Sequence, residues 1–355
     1  MKLPYRILLV LMSAAMILSL PFVLSSPDLL DSTKTELMNE GDEDEGEEID
    51  FGRLIFPSAL ADDLEVVTAE AGQLMPHPEW ALPLDFSVPP MPNPAGYTET
   101  GYTDDTINVQ LETREMSGTT VHVARVQISD PSQLRTAIAG DKVTKDKTSH
   151  VITMATYNHA VIAMNGDYYS QVPEKKLFEF RMTQKRKAKT NKIKDTLIID
   201  RNGDFHLFVR SAGLADYAKA HSDRIVNAFM FGPALVIDGQ VQKCDTEYSY
   251  APNYKNPRSA IGQTGPLSYI MVVVEGRGED AGVTHQELAE IMGELGCLQA
   301  YNLDGGNTSE LMLLEGYKEG SPKARYHFKG DQNADERPQS DIIYFATAVP
   351  ESLWN

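Results

Sequence analysis

Hydrophobic and polar positions divide the chain into three unlike parts. From Ile7 to Leu24 apolar residues run on with no polar face, behind the cations Lys2 and Arg6. From about Asp28 the pattern turns polar, almost wholly acidic between Gly41 and Asp50, and then proline-rich from Pro76 to Pro94, a composition that suits a semi-rigid spacer rather than helix or sheet. From about Thr106 short apolar runs bounded by turn residues recur, which is a strand pattern. The runs predict strands at Val121–Ile128, Val161–Met164 and Thr196–Ile199, the last joined through Asn202-Gly203 to Phe205–Val209 as a hairpin. Ala234–Ile237 turns at Asp238-Gly239 into Gln240–Lys243, and Ser259–Gly262 turns through Thr264–Pro266 into Leu267–Val274. One helix is expected from Thr284, where Thr284 and Glu287 form a capping box, through Leu288, Ile291, Met292 and Leu295 to a stop at Gly296. Leu298–Leu303 and Asp341–Ala346 complete the set. Hairpins plus one strand-helix-strand unit predict an α+β fold, a strand-rich mixed sheet with few helices. The expected organisation is a signal anchor or signal peptide at 1–26, an acidic then proline-rich extracytoplasmic linker at 27–105 and a single domain at 106–350.

Charge and composition narrow the functions. Of 355 residues, 32 are Lys or Arg and 51 are Asp or Glu, a formal net charge of -19. Phosphate-backbone binding needs a basic footprint, so no nucleic acid partner is expected. Asp28 to Glu70 holds 15 acidic residues against Lys34 and Arg53, so much of that charge belongs to the linker. This stretch reads as a solvated spacer, with a site for calcium or a cationic partner as the sharper alternative. The apolar run is about 18 residues long and its flanking charges orient the rest of the chain outward, so the domain is expected outside the cytoplasm, held at the membrane by an uncleaved anchor. Cys244 and Cys297 allow at most one disulfide, and Cys297 reads as a packed thiol. G-x-S-x-G, P-loop and H-E-x-x-H motifs do not occur, and the histidines show no ligand spacing. Gly276-Arg277-Gly278 formally fits a dinucleotide fingerprint, but the Thr284 cap starts the helix too late and Glu279 and Asp280 would repel a pyrophosphate.

Three polar clusters sit at ends of apolar strands, where a rigid scaffold can aim side chains into a cleft. Asn165-Gly166-Asp167-Tyr168-Tyr169 offers a turn with positive φ at Gly166, a carboxylate, and rings that flank a sugar or simply pack. Asn256-Pro257-Arg258-Ser259 offers a guanidinium fork for phosphate or carboxylate, or else a surface ion pair. Asp304-Gly305-Gly306-Asn307-Thr308-Ser309-Glu310 combines close backbone approach with a dense polar set. A basic stretch from Arg181 to Lys194 is a solvated loop or, near a cleft, a hold on an anionic polymer.

Taken in order, Asp130–Thr136, Val161–Tyr169, Phe231–Gly239, Asn256–Gln263, Gly282–Gly296, Asn302–Met312 and Glu336–Ala346 resemble the phosphodiester glycosidase family, covering most of Thr106 to Pro350. The resemblance implies hydrolysis of a sugar-1-phosphodiester, with Asp167 and Asp304 as the carboxylates and Asn165 and Arg258 beside them as catalytic groups. Arg258 and the backbone N–H groups of Gly305 and Gly306 would stabilise the departing phosphate. Tyr168, Asn307, Thr308, Ser309, Arg277 and Arg337 would join the two glycines in binding substrate. A divalent cation on Asp304, Asn307 and Asp167 is allowed, with no cofactor otherwise expected. Two departures bear on substrate: the chain after Tyr169 runs into Phe178–Arg181 and the basic stretch where a glycine-containing hairpin is usual, and Glu310 stands where a small residue is common. The expectation is a monomeric, surface-anchored hydrolase acting on a glycosyl phosphodiester of an envelope polysaccharide or teichoic-acid-like polymer. The alternative is a non-catalytic glycan-binding or exopolysaccharide-assembly module on the same fold.

Overall fold

A computed structural model describes residues 91–141, 147–167, 195–221, 223–244, 252–318 and 320–349. The apolar run, the acidic stretch, Tyr168, Tyr169 and the basic stretch lie outside the described residues. Among those described, no helix is long and apolar enough to cross a membrane.

The sheet begins earlier than Thr106. Strands β1 (Tyr97–Thr98) and β2 (Gly101–Thr103) precede the long pair β3 (Ile107–Met116) and β4 (Thr119–Ile128), which turns at Ser117-Gly118 with both residues at positive φ. The linker expected to reach residue 105 therefore gives up its last residues to the fold. Their composition reads as turn, but the Tyr102 ring is fully buried and its hydroxyl donates to Asp104 Oδ2 at 2.7 Å. Beyond a capped turn at Pro131–Gln133 come β5 (Leu134–Ile138), α1 (Val151–Tyr157) and β6 (Ala160–Asn165). The expected hairpin forms as β7 (Thr196–Asp200) and β8 (Phe205–Phe208), followed by α2 (Leu214–Ala220) and β9 (Ile225–Phe229). Then follow β10 (Ala234–Ile237), β11 (Gln240–Val241), β12 (Arg258–Gly265) and β13 (Ser268–Val274). Helix α3 (His285–Glu294) carries the expected capping box, and β14 (Gln299–Asn302), β15 (Glu310–Lys318), β16 (Ser321–Lys329) and β17 (Asp341–Ala346) close the chain.

Three sheets result, ordered β1-β2-β3-β4-β13-β12-β14-β10-β11, β16-β15-β6-β17-β5 and β8-β7-β9. The strand-rich α+β class is as expected, but every pairing among the described residues is antiparallel rather than mixed. The strand-helix-strand unit explains the difference. Its strands β13 and β14 run the same way but both pair with β12, which lies between them.

Period-two alternation sorts the core into layers. On β13, Met271 and Val273 face a core shared with Ile162, Leu311 and Ile343 of the second sheet, while Ile270, Val272 and Val274 pack beneath Leu288, Ile291 and Met292 of α3. On β15, Leu311 and Leu313 join the shared core, and Met312 and Leu314 meet Val151 and Met154 of α1. The two large sheets thus face each other with a helix outside each. Burying each such Val, Ile or Leu contributes roughly 1.5–3 kcal/mol, which makes this sandwich a rigid support for the strand ends.

Candidate functional site

The ends of β6 and β14 and the starts of β12, β15 and β17 meet at one edge of the sandwich, around a single buried amide. Asn165, fully buried at the end of β6, donates from Nδ2 to the Asp304 carbonyl at 2.7 Å. Its Oδ1 accepts the Ser259 hydroxyl at 2.8 Å and the Glu310 N–H at 3.2 Å. Asn165 therefore positions the loops rather than reaching outward as a catalytic group. The Asp304 N–H donates to the Gly166 carbonyl at 3.1 Å, stitching the two Asp-bearing turns together.

Gly166 is needed for closeness, not for the positive φ expected of it. Its N–H donates to the Asp341 carbonyl at 3.1 Å, and a Cβ there would overlap the Asp341 carboxylate. That carboxylate, fully buried at the head of β17, accepts the Asp167 N–H at 2.9 Å. Sequence reasoning passed over Asp341 as a site residue. The available clue was a charge opening an apolar strand, within a stretch already singled out. Asp167 is itself buried, and its Oδ2 accepts the Met230 N–H at 3.0 Å. A second anchored carboxylate, Asp195 ahead of β7, accepts the N–H of Arg210 and of Ala234, each at 2.7 Å.

Asp304 is buried with its two oxygens held apart in role. Oδ1 accepts the Gly305 N–H and Oδ2 accepts Arg337 Nη2, both at 2.9 Å. Burial pushes its pKa up to about 6, and the Asp167 charge adds to the rise, while Arg337, the Gly305 N–H and Thr308 pull the other way. A carboxyl poised there can hold or release a proton near neutral pH. Arg337, with 31% of its side chain exposed, is brought against Asp304.

The turn after Asp304 has a different use from the one its glycines suggested. The Gly305 N–H is taken by Asp304 and the Gly306 N–H donates to the Pro257 carbonyl at 2.9 Å, so both point into the protein rather than to a departing phosphate. A Cβ at Gly305 would sit 2.9 Å from the Pro257 oxygen, which is why a glycine is required. Thr308 donates to the Gly305 carbonyl at 2.8 Å, Ser309 is buried, and Asn307 stays half-buried at the turn.

Arg258 also departs from expectation. Its guanidinium is buried, with Nε on the Val283 carbonyl at 3.1 Å, Nη2 on the Tyr254 carbonyl at 2.9 Å and Nη1 on His285 Nε2 at 2.9 Å. Burial lowers its pKa to about 10, and the nearby Arg277 charge adds to this. Burial and the Arg258 charge hold His285 well below the ordinary range, so the ring is neutral and accepts at Nε2. The arginine braces the start of α3, a role hidden in the sequence because its partners lie up to 27 residues away.

Arg277 lies over Gly306 with 48% of its side chain exposed. Among the described residues no three His, Cys, Asp or Glu converge to hold a metal. Both cysteines are free, and burial pushes each thiol up to about 12. An open groove of about 620 Å³ lies elsewhere, on β2, β3 and β4, lined by Thr103, Gln110, Glu112 and Arg125 and by none of the site residues.

One solved structure shares this architecture. The zebrafish N-acetylglucosamine-1-phosphodiester alpha-N-acetylglucosaminidase catalytic domain, auto-inhibited by its pro-peptide, aligns with a TM-score of 0.50 at 16% identity, over 68% of this chain and 83% of that one. A hypothetical protein from Synechocystis aligns with a TM-score of 0.44 at 16% identity, over 68% of this chain and 62% of that one. The SPbeta prophage-derived uncharacterized protein YomE of Bacillus subtilis (strain 168) is 33% identical over 85 residues, 24% of this chain but only 13% of that protein. The present chain thus matches a small part of that relative's length. Residues 158–346, more than half of the chain and reaching from just before β6 to the end of β17, match the phosphodiester glycosidase family, and the chain belongs to it.

Proposed function

We propose that the protein hydrolyses a sugar-1-phosphodiester of an envelope polysaccharide or teichoic-acid-like polymer, outside the cytoplasm and as a monomer. The observation that carries this is the pair of buried carboxylates, Asp167 and Asp304, coupled electrostatically, with Asp304 poised at a pKa of about 6. The bond between the anomeric carbon and the bridging oxygen breaks, water supplies the new oxygen on the sugar, and the bridging oxygen leaves on a phosphomonoester. Asp304 takes the proton of the attacking water, and Asp167, held by the Met230 N–H, supports the oxocarbenium-like centre. A phosphate is a weakly basic leaving group, so no separate acid has to protonate it. The extracytoplasmic placement is supported by Lys2 and Arg6 ahead of the apolar run from Ile7 to Leu24.

The test is release of free sugar from N-acetylglucosamine-1-phospho-methyl mannoside and a panel of other glycosyl phosphodiesters, with and without EDTA. Wild-type turnover, lost by at least 100-fold in Asp304→Asn with the fold intact, is the expected result. Folded protein that binds these compounds and releases sugar from none of them would overturn the proposal in favour of a non-catalytic module.

A further inference from the structure

With Arg258 enclosed and the Gly305 and Gly306 N–H groups turned inward, the cation that meets the substrate has to be sought elsewhere at the turn. Just beyond β13 the chain places Arg277 at φ 64°, in the left-handed region that a long side chain rarely enters. The conformation is held by neighbours. Arg277 Nε and Nη2 donate to Asn256 Oδ1 at 3.2 and 3.1 Å, and Nη1 lies 3.5 Å from Asp331 Oδ2. Asn256 is fixed in turn by two backbone hydrogen bonds to Val283, each 3.1 Å, and Asp331 Oδ1 accepts the Asn333 N–H at 3.1 Å.

This frame lays the guanidinium against the backbone two residues after Asp304. A Cβ on Gly306, itself at φ 70°, would stand 3.0 Å from Nη2 and 3.1 Å from Nη1. Of the five N–H groups of a guanidinium, the hydrogen bonds to Asn256 use two, and the ion pair with Asp331 draws on Nη1. One remains on each terminal nitrogen, the fork that suits two oxygens of a phosphate. An arginine serving only to pair with Asp331 would need neither the left-handed backbone nor a glycine beneath it.

We infer that Arg277 recognises the phosphate of the substrate and sets the preference for glycosyl phosphodiesters over uncharged glycosides. This rests on the reading of the site as a sugar-1-phosphodiester hydrolase. The fork meets the single charge of the bound diester and gains strength as a second negative charge develops on the departing oxygen. Its rigid frame means that little orientational freedom remains to be lost on binding.

The experiment compares the native chain with Arg277→Gln, Arg277→Lys and Asn256→Ala, each checked by thermal melting. Substrates are N-acetylglucosamine-1-phospho-methyl mannoside and the neutral p-nitrophenyl N-acetyl-α-glucosaminide. In Arg277→Gln, kcat/KM for the phosphodiester should fall at least 30-fold further than for the aryl glycoside. Arg277→Lys should recover part of that loss, and Asn256→Ala should raise KM for the phosphodiester with a smaller effect on kcat. Calorimetric titration with N-acetylglucosamine 1-phosphate and with N-acetylglucosamine supplies a readout independent of turnover. The native chain should favour the phosphorylated sugar at least tenfold, and Arg277→Gln should erase that preference. If preference collapses in the variant while the native chain hydrolyses nothing, the hydrolase reading fails and the role of Arg277 stands. Equal losses on charged and neutral compounds, or a preference kept by folded Arg277→Gln, would overturn the inference whether or not the enzyme turns over.

Discussion

Burial and an ion pair act in opposite directions on Asp304, and burial wins, lifting its pKa from the ordinary 3.8 to about 6. The folded state therefore holds this proton more tightly than the unfolded chain. Its stabilising effect is complete below about pH 4 and is lost as pH rises through 6. Asp304→Asn cannot ionise and escapes that loss. The variant should lack turnover yet unfold at higher urea than the native chain at pH 8, by on the order of 3 kcal/mol, an advantage that shrinks through pH 6 and is gone near pH 4. Asn165 makes the opposite case. Asn165→Ala leaves the Ser259 hydroxyl and the Glu310 N–H unsatisfied in the interior, so a loss of about 3 kcal/mol or more in urea titrations is expected at any pH. Both residues were legible in the sequence as polar groups at the ends of apolar strands. The supporting role of Asn165 was not, since it depends on contacts spanning 94 to 145 residues.

At the scale of elements, the clearest sequence features concerned local bonds. The capping box at Thr284 is formed as written, with the Glu287 N–H donating to Thr284 Oγ1 at 3.1 Å and the Thr284 N–H to Glu287 Oε2 at 2.8 Å. Thr284→Ala should lower stability by about 1 kcal/mol in thermal or urea melts, with kcat/KM changed by less than threefold. The hairpin signs at Asn202-Gly203 and Asp238-Gly239 were equally local and equally readable. Strands β1 and β2 were not, because two- and three-residue strands have no period of their own and form by pairing, β2 with β3 and β1 with β2.

For the whole molecule, the pairing of β1 and β2 with the long strands decides how a truncated chain behaves. A chain beginning at Met91 should melt cooperatively and resist proteolysis. One beginning at Thr106 loses the buried Tyr102 and its bond to Asp104, and should melt lower by several degrees and be digested first. The antiparallel sheets also belong to this scale. A helix between two strands signals a parallel pair only when no third strand comes between them, and β12 arrives there from earlier in the sequence.

One arrangement at the site reaches beyond its own chemistry. Asp167 and Asp195 bound residues 168–194, and their carboxylates are pinned to the N–H groups of Met230 and Ala234, four positions apart on the same connection. Asp167 and Asp195 are thus fastened to one short piece of backbone. The two carboxylates share one anchor, so a displacement of the connection between β9 and β10 would carry Asp167 and Asp195 with it.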